Sequence, residues 1–492
     1  MKQSKRDKLI DGIVFAVLLV AVSAMMLTLF YRQTIGSEAL YHSDMKAYIL
    51  EMQGLESAYE FPYPVFFKFA AFIHLFTGPE MAVAIATMLL NAFAMVLVKL
   101  AFNYFMLGAD GVQGQVAVPG GERGKCFLCG NGWQAGVLVS LLTIALFYVS
   151  MLIAPGGIYL PGIYRTYLGV FTPNPFHNAT YLAARPFSIL AFLWFVKILP
   201  VYEQGMCKEC GKPGVEFRRA LGLRARGQGV SLADYIFFSV FLLLATMTKP
   251  SFTLVLVSTA GLIMLYRLIR SGFRNFLSTV QFGLTFIPTF IDLLYQYKGV
   301  FMPGDGTEGG VGFTFGEVWI KYCGNLPLAV CLGVGFPLAV LVVNFRKCKK
   351  NTMFLFSWQL YAVSFAEAFF LYEKGFRKFD FNFCWGYICG MFFCHFTALI
   401  VLVQATREYL IERAAVGSAT ARSLRLSGNA AENGDGQVAA EEAGKGIGSG
   451  ETFWRKFWVR TALLVLQWLA FLWHLACGIL YFKGIFGGAM YY

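Results

Sequence analysis

The segment His42-Ser43-Asp44-Met45 carries a single carboxylate in an aromatic and apolar setting, and that setting is suited to proton transfer. A carboxylate beside a bound hydroxyl group can act as a general base. The competing interpretation is structural, because Ser43 or Asp44 is a good N-cap for a helix that contains residues 46–52. The two roles are compatible, so the sequence leaves both open.

A second polar group lies in residues 156–187, GGIYLPGIYRTYLGVFTPNPFHNATYLAARPF, between two apolar runs. Its polar residues include Arg165, Asn174, His177, Asn178 and Arg185. The arginines and the histidine are suited to binding an anion such as a phosphate, since a guanidinium presents a planar fork of donors. The asparagines are suited to binding hydroxyl groups. The competing interpretation is that the arginines contact lipid headgroups and that the Pro-Asn-Pro sequence forms a turn.

Two further polar groups lie at the ends of apolar runs. Lys249 stands in Thr248-Lys249-Pro250-Ser251-Phe252, and a lysine at a proline break near a membrane is a candidate functional residue. The alternative is that its ammonium group extends to the membrane surface. The mixed-charge segment EKGFRKFDFNF is either an ordinary solvated loop or a wall of the same cavity as Asp44, with Glu373 and Asn382 facing inward.

Four cysteines form a metal-binding pattern of two C-x-x-C-G motifs, Cys126 with Cys129 and Cys207 with Cys210. Each motif has the form of a zinc knuckle, and both fall in loops expected in the cytoplasm, where disulfides are disfavoured. Four thiolates form a closed tetrahedral site, so the zinc expected here is structural. Unpaired or redox-active thiols are the alternative, and no catalytic metal is expected.

Long apolar runs must position these residues. The 492-residue chain is 57% hydrophobic and only 14% charged, against about 25% charged residues in a soluble domain. Runs long enough to cross a bilayer recur about eleven times. They are centred on 11–31, 80–105, 134–154, 182–202, 233–248, 251–268, 277–297, 324–345, 352–372, 383–405 and 458–482. The sequence therefore predicts an all-α, polytopic membrane bundle of about eleven transmembrane helices, with amphipathic helices in its outer loops.

The placement of lysine and arginine predicts the orientation of this bundle. The N-terminal MKQSKRDK is basic, as are the segments around Arg218–Arg226, Arg267–Arg274 and Phe345–Lys350, so we expect these in the cytoplasm. The alternate loops carry fewer cations and are expected on the outer side of the cytoplasmic membrane. The formal net charge of +13 then fits loops beside anionic membrane lipids and requires no nucleic-acid partner.

Three regions follow from this pattern. Residues 1–405 are predicted to form the transmembrane bundle. Residues 406–457, rich in glycine, alanine and glutamate, are predicted to be a flexible cytoplasmic linker. Residues 458–492 are predicted to hold the final transmembrane helix and a C-terminal tail. The outer loops of the bundle are predicted at 32–79, 155–181, 297–323 and 371–382.

The order of these features resembles that of the GT-C superfamily of membrane glycosyltransferases, and HSDM, TPNPFHNATY, TKPSF and EKGFRKFDFNF are similar to strings in uncharacterised bacterial members. The resemblance implies a polyprenyl-phosphate-linked sugar as donor, an extracytoplasmic acceptor, inversion at the sugar and Asp44 as the base. Members that use a metal commonly carry Asp-x-Asp in this loop, so the lone Asp44 favours a metal-independent reaction. The substrate-binding residues expected on this basis are His42, Arg165, Asn174, His177, Asn178, Arg185, Lys249, Glu373 and Asn382.

A multi-pass transporter or flippase for a lipid-linked or polar solute is the main alternative, because it would also gather charges in a membrane cavity. A transporter is expected to place ionisable residues at mid-helix along a path. Most of the residues above lie instead at the outer ends of apolar runs. A third interpretation is a zinc- or redox-responsive membrane scaffold in which the cysteine loops carry the function.

Overall fold

The computed structural model describes residues 5–37, 39–56, 61–107, 133–153, 170–204, 230–301, 309–432 and 450–489. These residues are helical almost throughout, with a single two-stranded sheet, in agreement with the predicted all-α class. Arg165 and the four cysteines predicted to bind zinc lie outside the described residues.

The helices of the first part of the chain are α1 (Lys5–Ile35), α2 (Met45–Gln53), α3 (Pro64–His74), α4 (Pro79–Phe102), α5 (Trp133–Leu146), α6 (Ala179–Gln204) and α7 (Leu232–Thr248). Then follow α8 (Ser251–Arg270), α9 (Phe276–Leu284), α10 (Ile287–Phe301), strand β1 (Val311–Phe313), α11 (Glu317–Tyr322), α12 (Leu326–Gly333), α13 (Gly335–Val343) and α14 (Phe345–Cys348). The last elements are α15 (Thr352–Phe370), strand β2 (Leu371–Glu373), α16 (Cys384–Glu432) and α17 (Gly450–Phe486).

Seven helices among the described residues are long and apolar enough to cross a membrane: α1, α4, α6, α8, α15, α16 and α17. Two further pairs of helices, α9–α10 and α12–α13, are long and apolar enough to cross a membrane only when each pair is taken as one segment. These pairs bend by 55° and 71°, and counting each as one span gives nine spans among the described residues. The predicted number of about eleven is not confirmed. The two remaining apolar runs form α5 and α7, whose 14 and 17 residues fall short of the about 20 that cross a bilayer as one straight helix.

The loops at the site contain structure of their own. The amphipathic helices predicted in the first outer loop are found as α2 and α3. Strand β1, in the predicted outer loop 297–323, pairs antiparallel with β2, so that Val311 lies opposite Glu373. This pairing was not predicted from the sequence. The pairing ties the end of α15 to the loop that precedes α11, and it holds Glu373 in place.

Helical structure extends into the predicted linker 406–457 from both ends. Helix α16 continues through it to Glu432, and α17 already begins at Gly450. The residues after 405 include many alanines, leucines, arginines and glutamates, which are strong helix formers. The predicted boundary at 405 therefore marks the end of the apolar part of α16, and the helix itself continues beyond it.

Helix α16 lies at the centre of the bundle. Its apolar window is completely buried by other elements, and α15 packs along it. A helix that is apolar on all sides is typical of a bundle interior. Phe393 of α16 stacks on Phe192 of α6 with ring centroids 4.3 Å apart. Helix α1, in contrast, exposes Leu9, Val17 and Val20, as expected for a helix that faces lipid.

Several helix ends meet at one end of the bundle, which we call the Asp44 end. Helices α1 and α7 end there, and α6, α8 and α16 begin there, as the contacts of Lys249 with Asn178 and Trp385, and of Ser43 with Gln33, demonstrate. The basic segment that includes α14 lies at the opposite end, where Lys347 pairs with Glu408. The basic segment Phe345–Lys350 and the Asp44 end thus lie at opposite ends of the molecule, because Glu408 is far along α16 from the start of that helix.

Candidate functional site

Asn178 lies at the centre of a hydrogen-bond network at the Asp44 end. It precedes α6 and caps that helix, since its Oδ1 accepts from the backbone N–H of Tyr181 at 2.9 Å. Its Nδ2 donates to Asp44 Oδ2 at 2.7 Å. Lys249 Nζ donates to the same Oδ1 at 3.3 Å. One asparagine therefore links the predicted base to the predicted cation.

Asp44 occupies the N-cap position of α2, but its carboxylate makes no capping hydrogen bond. The Ser43 hydroxyl accepts from the backbone N–H of Met45 instead, at 3.3 Å. Asp44 Oδ2 also accepts from the hydroxyl of Tyr48, at 3.1 Å. Burial, and then the charge of Asp44, raises the pKa of Tyr48 well above its usual value, so Tyr48 stays a donor. The carboxylate is thus directed towards Asn178 and away from helix capping.

Lys249 follows α7 and is buried, with 7% of its surface exposed. Its Nζ donates to Thr180 Oγ1 at 3.1 Å and lies 4.8 Å from the centre of the Trp385 ring. The ammonium group therefore does not extend to the membrane surface. Burial lowers the pKa of Lys249 to about 8, although the charge of Asp44 opposes the change. Its positive charge is retained at neutral pH and lost in mildly alkaline solution.

Glu373 and Asn382 meet in a folded wall of the site. Asn382 Nδ2 donates to Glu373 Oε2 at 2.8 Å, and Arg377 Nε lies 3.2 Å from the same oxygen. Burial raises the pKa of Glu373, while Arg377 and Asn382 oppose the rise. The structure places Glu373 and Asn382 in a cavity wall, but Asp44 does not line that cavity. Sequence reasoning did not single out Arg377, although its i, i+4 spacing from Glu373 was a usable signal.

Lys249, Glu373 and Asn382 line a cavity of about 360 Å³ at the Asp44 end. Arg377 adds a second cation to its lining. The other polar side chains that line it include Tyr63, Ser251, Gln296 and Glu367. Asp44 does not line the cavity, but its charge acts on Tyr63 and Lys249, which do.

The opposite side of the cavity is apolar and belongs to α8 and α10. Leu254, Phe290 and Leu294 line it and are also exposed on the outer surface of the bundle. Pockets usually combine such apolar walls with a few convergent polar groups. A polar end with two cations, joined to an apolar side that reaches the lipid-facing surface, matches a ligand that is itself amphipathic and anionic.

Gln296 and Glu367 are cavity residues that sequence reasoning missed. Gln296 Nε2 donates to the carbonyl of Thr246 at 3.1 Å, while its Oε1 is buried and has no hydrogen-bond partner within the described residues. The hydroxyl of Ser258 bonds to Glu367. A buried acceptor in a cavity wall is available to a ligand hydroxyl. Both residues lie within apolar runs, where a polar or ionisable side chain is itself a functional signal.

His177 lies beside the site as a neutral ring. It is buried, with its ring centroid 5.6 Å from that of Trp385. Burial, followed by the charges of Lys249 and His42, lowers the pKa of His177 to about 3. At neutral pH it therefore adds no positive charge for a phosphate, in contrast to the sequence-based expectation, and offers hydrogen bonds only. His42 is partly buried and close enough to act on His177.

Arg185 and Asn174 bind to each other beneath the site. Arg185 Nη1 donates to Asn174 Oδ1 at 3.0 Å, and Nη2 donates to the carbonyl of Pro173 at 2.9 Å. Asn174 Nδ2 donates to the carbonyl of Leu146 at 3.0 Å. Neither side chain lines the cavity. The geometry makes them positioning residues that fasten the segment before α6 to the end of α5.

Within the residues that the structure describes, no group of three or more histidine, cysteine, aspartate or glutamate side chains could hold a metal ion. The two C-x-x-C motifs lie outside those residues, so structural zinc stays a prediction. No protein-family model, curated protein or solved structure matches the chain. Function is therefore argued from the site itself.

Proposed function

We propose that this protein is a membrane glycosyltransferase that moves a sugar from a polyprenyl-phosphate donor to an acceptor outside the cytoplasm. The observation that carries the proposal is the placement of Asp44 and Lys249 on the two ends of one amide, Asn178, at 2.7 and 3.3 Å. The cavity beside them has a cationic end and an apolar side. The class of donor comes from the resemblance to the GT-C superfamily.

In this proposal the cavity receives the donor. Lys249 and Arg377 contact the phosphate, and the apolar residues of α8 and α10 contact the first part of the polyprenyl chain. Positive charge held in a site of low dielectric stabilises the charge that develops on a departing phosphate. Gln296 Oε1, Asn382 and Glu373 are within the same lining and would bind sugar hydroxyls.

Asp44 serves as the general base. The acceptor oxygen attacks the anomeric carbon while the bond from that carbon to the phosphate oxygen breaks. The acceptor proton passes to Asp44, and the bonding electron pair leaves with the phosphate. Asn178 and Tyr48 orient the carboxylate by donating to Oδ2. Attack on the face opposite the phosphate inverts the anomeric centre.

One observation favours a transporter as the second candidate. Glu367 lines the cavity from within α15, and Asp292 of α10 accepts from Gln296 Nε2 at 2.7 Å. Carboxylates inside membrane helices are typical of transport pathways. The second candidate requires movement of the solute without a new glycosidic bond, so the two functions are separable by product analysis.

The substitution Asp44→Asn tests the proposal. We expect it to lower the rate of glycosyl transfer by about 10²- to 10⁴-fold, because the amide is nearly isosteric but accepts no proton. The measurement is transfer of radiolabelled sugar from a polyprenyl-phosphate donor in proteoliposomes that contain the purified protein.

Glu317→Gln is the matched control, since Glu317 is an exposed carboxylate at the same end of the bundle and pairs with Lys378. Its rate should equal that of the parent protein. Full transfer by the Asp44→Asn protein would contradict the role of the base. Movement of labelled donor across the bilayer without any transfer would favour the transporter.

A further inference from the structure

A second cavity, of about 890 Å³, lies between α13, α14, α16 and α17. Its aliphatic lining comprises Val342, Val343, Ala405, Val459, Leu463 and Leu464. Its cationic lining comprises Arg346, Lys347 and Arg460. The volume is within the range of about 300–1,000 Å³ that is usual for small-molecule pockets. We call it the α14 groove.

The α14 groove is remote from the proposed active site. The carbonyl of Phe486, at the end of α17, accepts from Arg32 near the end of α1, and this contact belongs to the Asp44 end. Arg460 precedes Phe486 by 26 residues of the same helix, which corresponds to about 39 Å at 1.5 Å per residue. The groove is therefore at the end predicted to face the cytoplasm.

Cations outnumber carboxylates around the groove. Lys347 pairs with Glu408, and Arg460 pairs with Glu412. Three exposed cations have no carboxylate partner among the described residues, and they are Arg346, Lys349 and Lys350. A cluster of this kind beside membrane helices attracts anionic headgroups, at about 1 kcal/mol per lysine or arginine in general.

The walls of the groove select a lipid and not a free anion. Val342, Phe345 and Val459 are all exposed on the outer surface, so the apolar walls open towards the surrounding membrane. Asn344, the uncharged polar residue of the lining, donates from its Nδ2 to Gln467 Oε1 at 2.7 Å. Because that polar pair is satisfied, the interior can accept an acyl chain without leaving a buried polar group unpaired.

We propose that the α14 groove binds an anionic phospholipid. The phosphate contacts Arg346 and Lys347, and one acyl chain lies against Val342, Val459 and Leu463. Such a lipid would contact both α14 and α17. The inference is independent of the proposed glycosyl transfer, since it involves other residues at the other end of the molecule.

Native mass spectrometry of the full-length protein in detergent tests this inference. The probe is an equimolar mixture of phosphatidylglycerol and phosphatidylcholine with the same acyl chains. We expect phosphatidylglycerol adducts to predominate. Arg346→Gln should weaken phosphatidylglycerol binding about fivefold and leave phosphatidylcholine binding unchanged.

Arg270→Gln is the matched control, because Arg270 is an exposed cation at the same end, on α8, outside the groove lining. Equal retention of the two lipids, or equal loss of phosphatidylglycerol in both variants, would overturn the proposal. So would displacement by sn-glycerol 3-phosphate at the concentration of the lipid, which would identify a phosphate site. Lys347→Gln, which removes the other proposed phosphate contact, gives a second readout if Arg346→Gln does not fold, and a parent-like lipid profile there would count against the groove.

Discussion

The contacts of Asn178 require a side chain that both accepts and donates hydrogen bonds, as an amide does. Its Oδ1 accepts from Lys249, Thr180 and the backbone of α6, while its Nδ2 donates to Asp44. A carboxylate at this position would lose the donor and place a second negative charge beside Asp44. An apolar side chain would leave Lys249 buried without one of its acceptors.

Lys249 gives the proposed reaction a predictable dependence on pH. Because the pKa of Lys249 in the free protein is lowered to about 8, its ammonium form predominates below that pH and is lost above it. We expect kcat/KM for the donor to fall as the pH rises through about 8, since this parameter reports groups of the free enzyme.

Lys249→Arg keeps a positive charge at all these pH values and should remove the fall in kcat/KM, although the larger side chain is expected to lower the maximum. Lys374→Arg, at an exposed position directly after β2 at the same end of the bundle, is the control and should keep the parent profile. A fall near pH 8 that persists unchanged in Lys249→Arg would show that another group titrates.

At the scale of elements, the break between α7 and α8 determines where Lys249 lies. The residue before a proline is restricted to extended conformations, and Lys249 has φ −167° and ψ 122°. The chain therefore leaves α7 at Lys249 and starts α8 directly after Pro250. Packing of α6 and α16 against this break then decides that the ammonium points to Thr180 and Trp385.

A buried ion pair joins α1, α4 and α5 away from the site. Lys99 Nζ donates to Asp11 Oδ1 at 2.8 Å and to the carbonyl of Gly136 at 3.0 Å, and the Ser140 hydroxyl donates to the same carboxylate at 3.0 Å. A Cβ at Gly136 would lie 2.6 Å from Asp11 Cγ, so glycine is required for this approach. None of these residues was singled out from the sequence.

Asp11→Asn should destabilise the protein by about 3–5 kcal/mol, because it leaves the buried Lys99 ammonium without a counter-charge. The measurement is thermal unfolding in a mild detergent, with the expected result a lower Tm. The double substitution Asp11→Leu/Lys99→Met removes both charges and should recover most of that loss. A single variant as stable as the parent would contradict the role of the pair.

At the scale of the whole molecule, the two ends of the bundle differ in charge and in cavities. The Asp44 end carries the proposed base and the cavity lined by Lys249, and the opposite end carries the basic α14 groove. The proposed reaction requires the Asp44 end to face away from the cytoplasm, as the placement of lysine and arginine predicts.

Cysteine labelling of intact cells tests this orientation. Lys46→Cys, on the exposed side of α2, should react with a membrane-impermeant maleimide before the cells are opened. Lys350→Cys, at the opposite end, should react only after permeabilisation. The labelling of each variant is compared with that of the parent protein, because the parent already has 11 cysteines. The reverse pattern would contradict the proposed side of the reaction.

Composition and the lengths of the apolar runs were sufficient to predict the class of fold. In a bilayer the backbone must satisfy its own hydrogen bonds, so a chain with many long apolar runs forms helices. Helix ends were also predictable at breaks such as Lys249-Pro250, because the restriction on the residue before proline is local. The number of membrane spans was harder to predict, because α5 and α7 are short and two other apolar runs form bent helix pairs.

The sequence by itself determined a helical membrane protein with polar residues gathered at helix ends. Only the tertiary structure decided which of them meet: Asp44 and Asn178 are 134 residues apart in the chain and 2.7 Å apart in space. In the folded protein, Arg185 and Asn174 bind to each other away from the cavity. Arg377, Gln296 and Glu367 line the cavity. The physical reason is that the direction of a side chain depends on packing between helices distant in sequence, which local patterns do not encode.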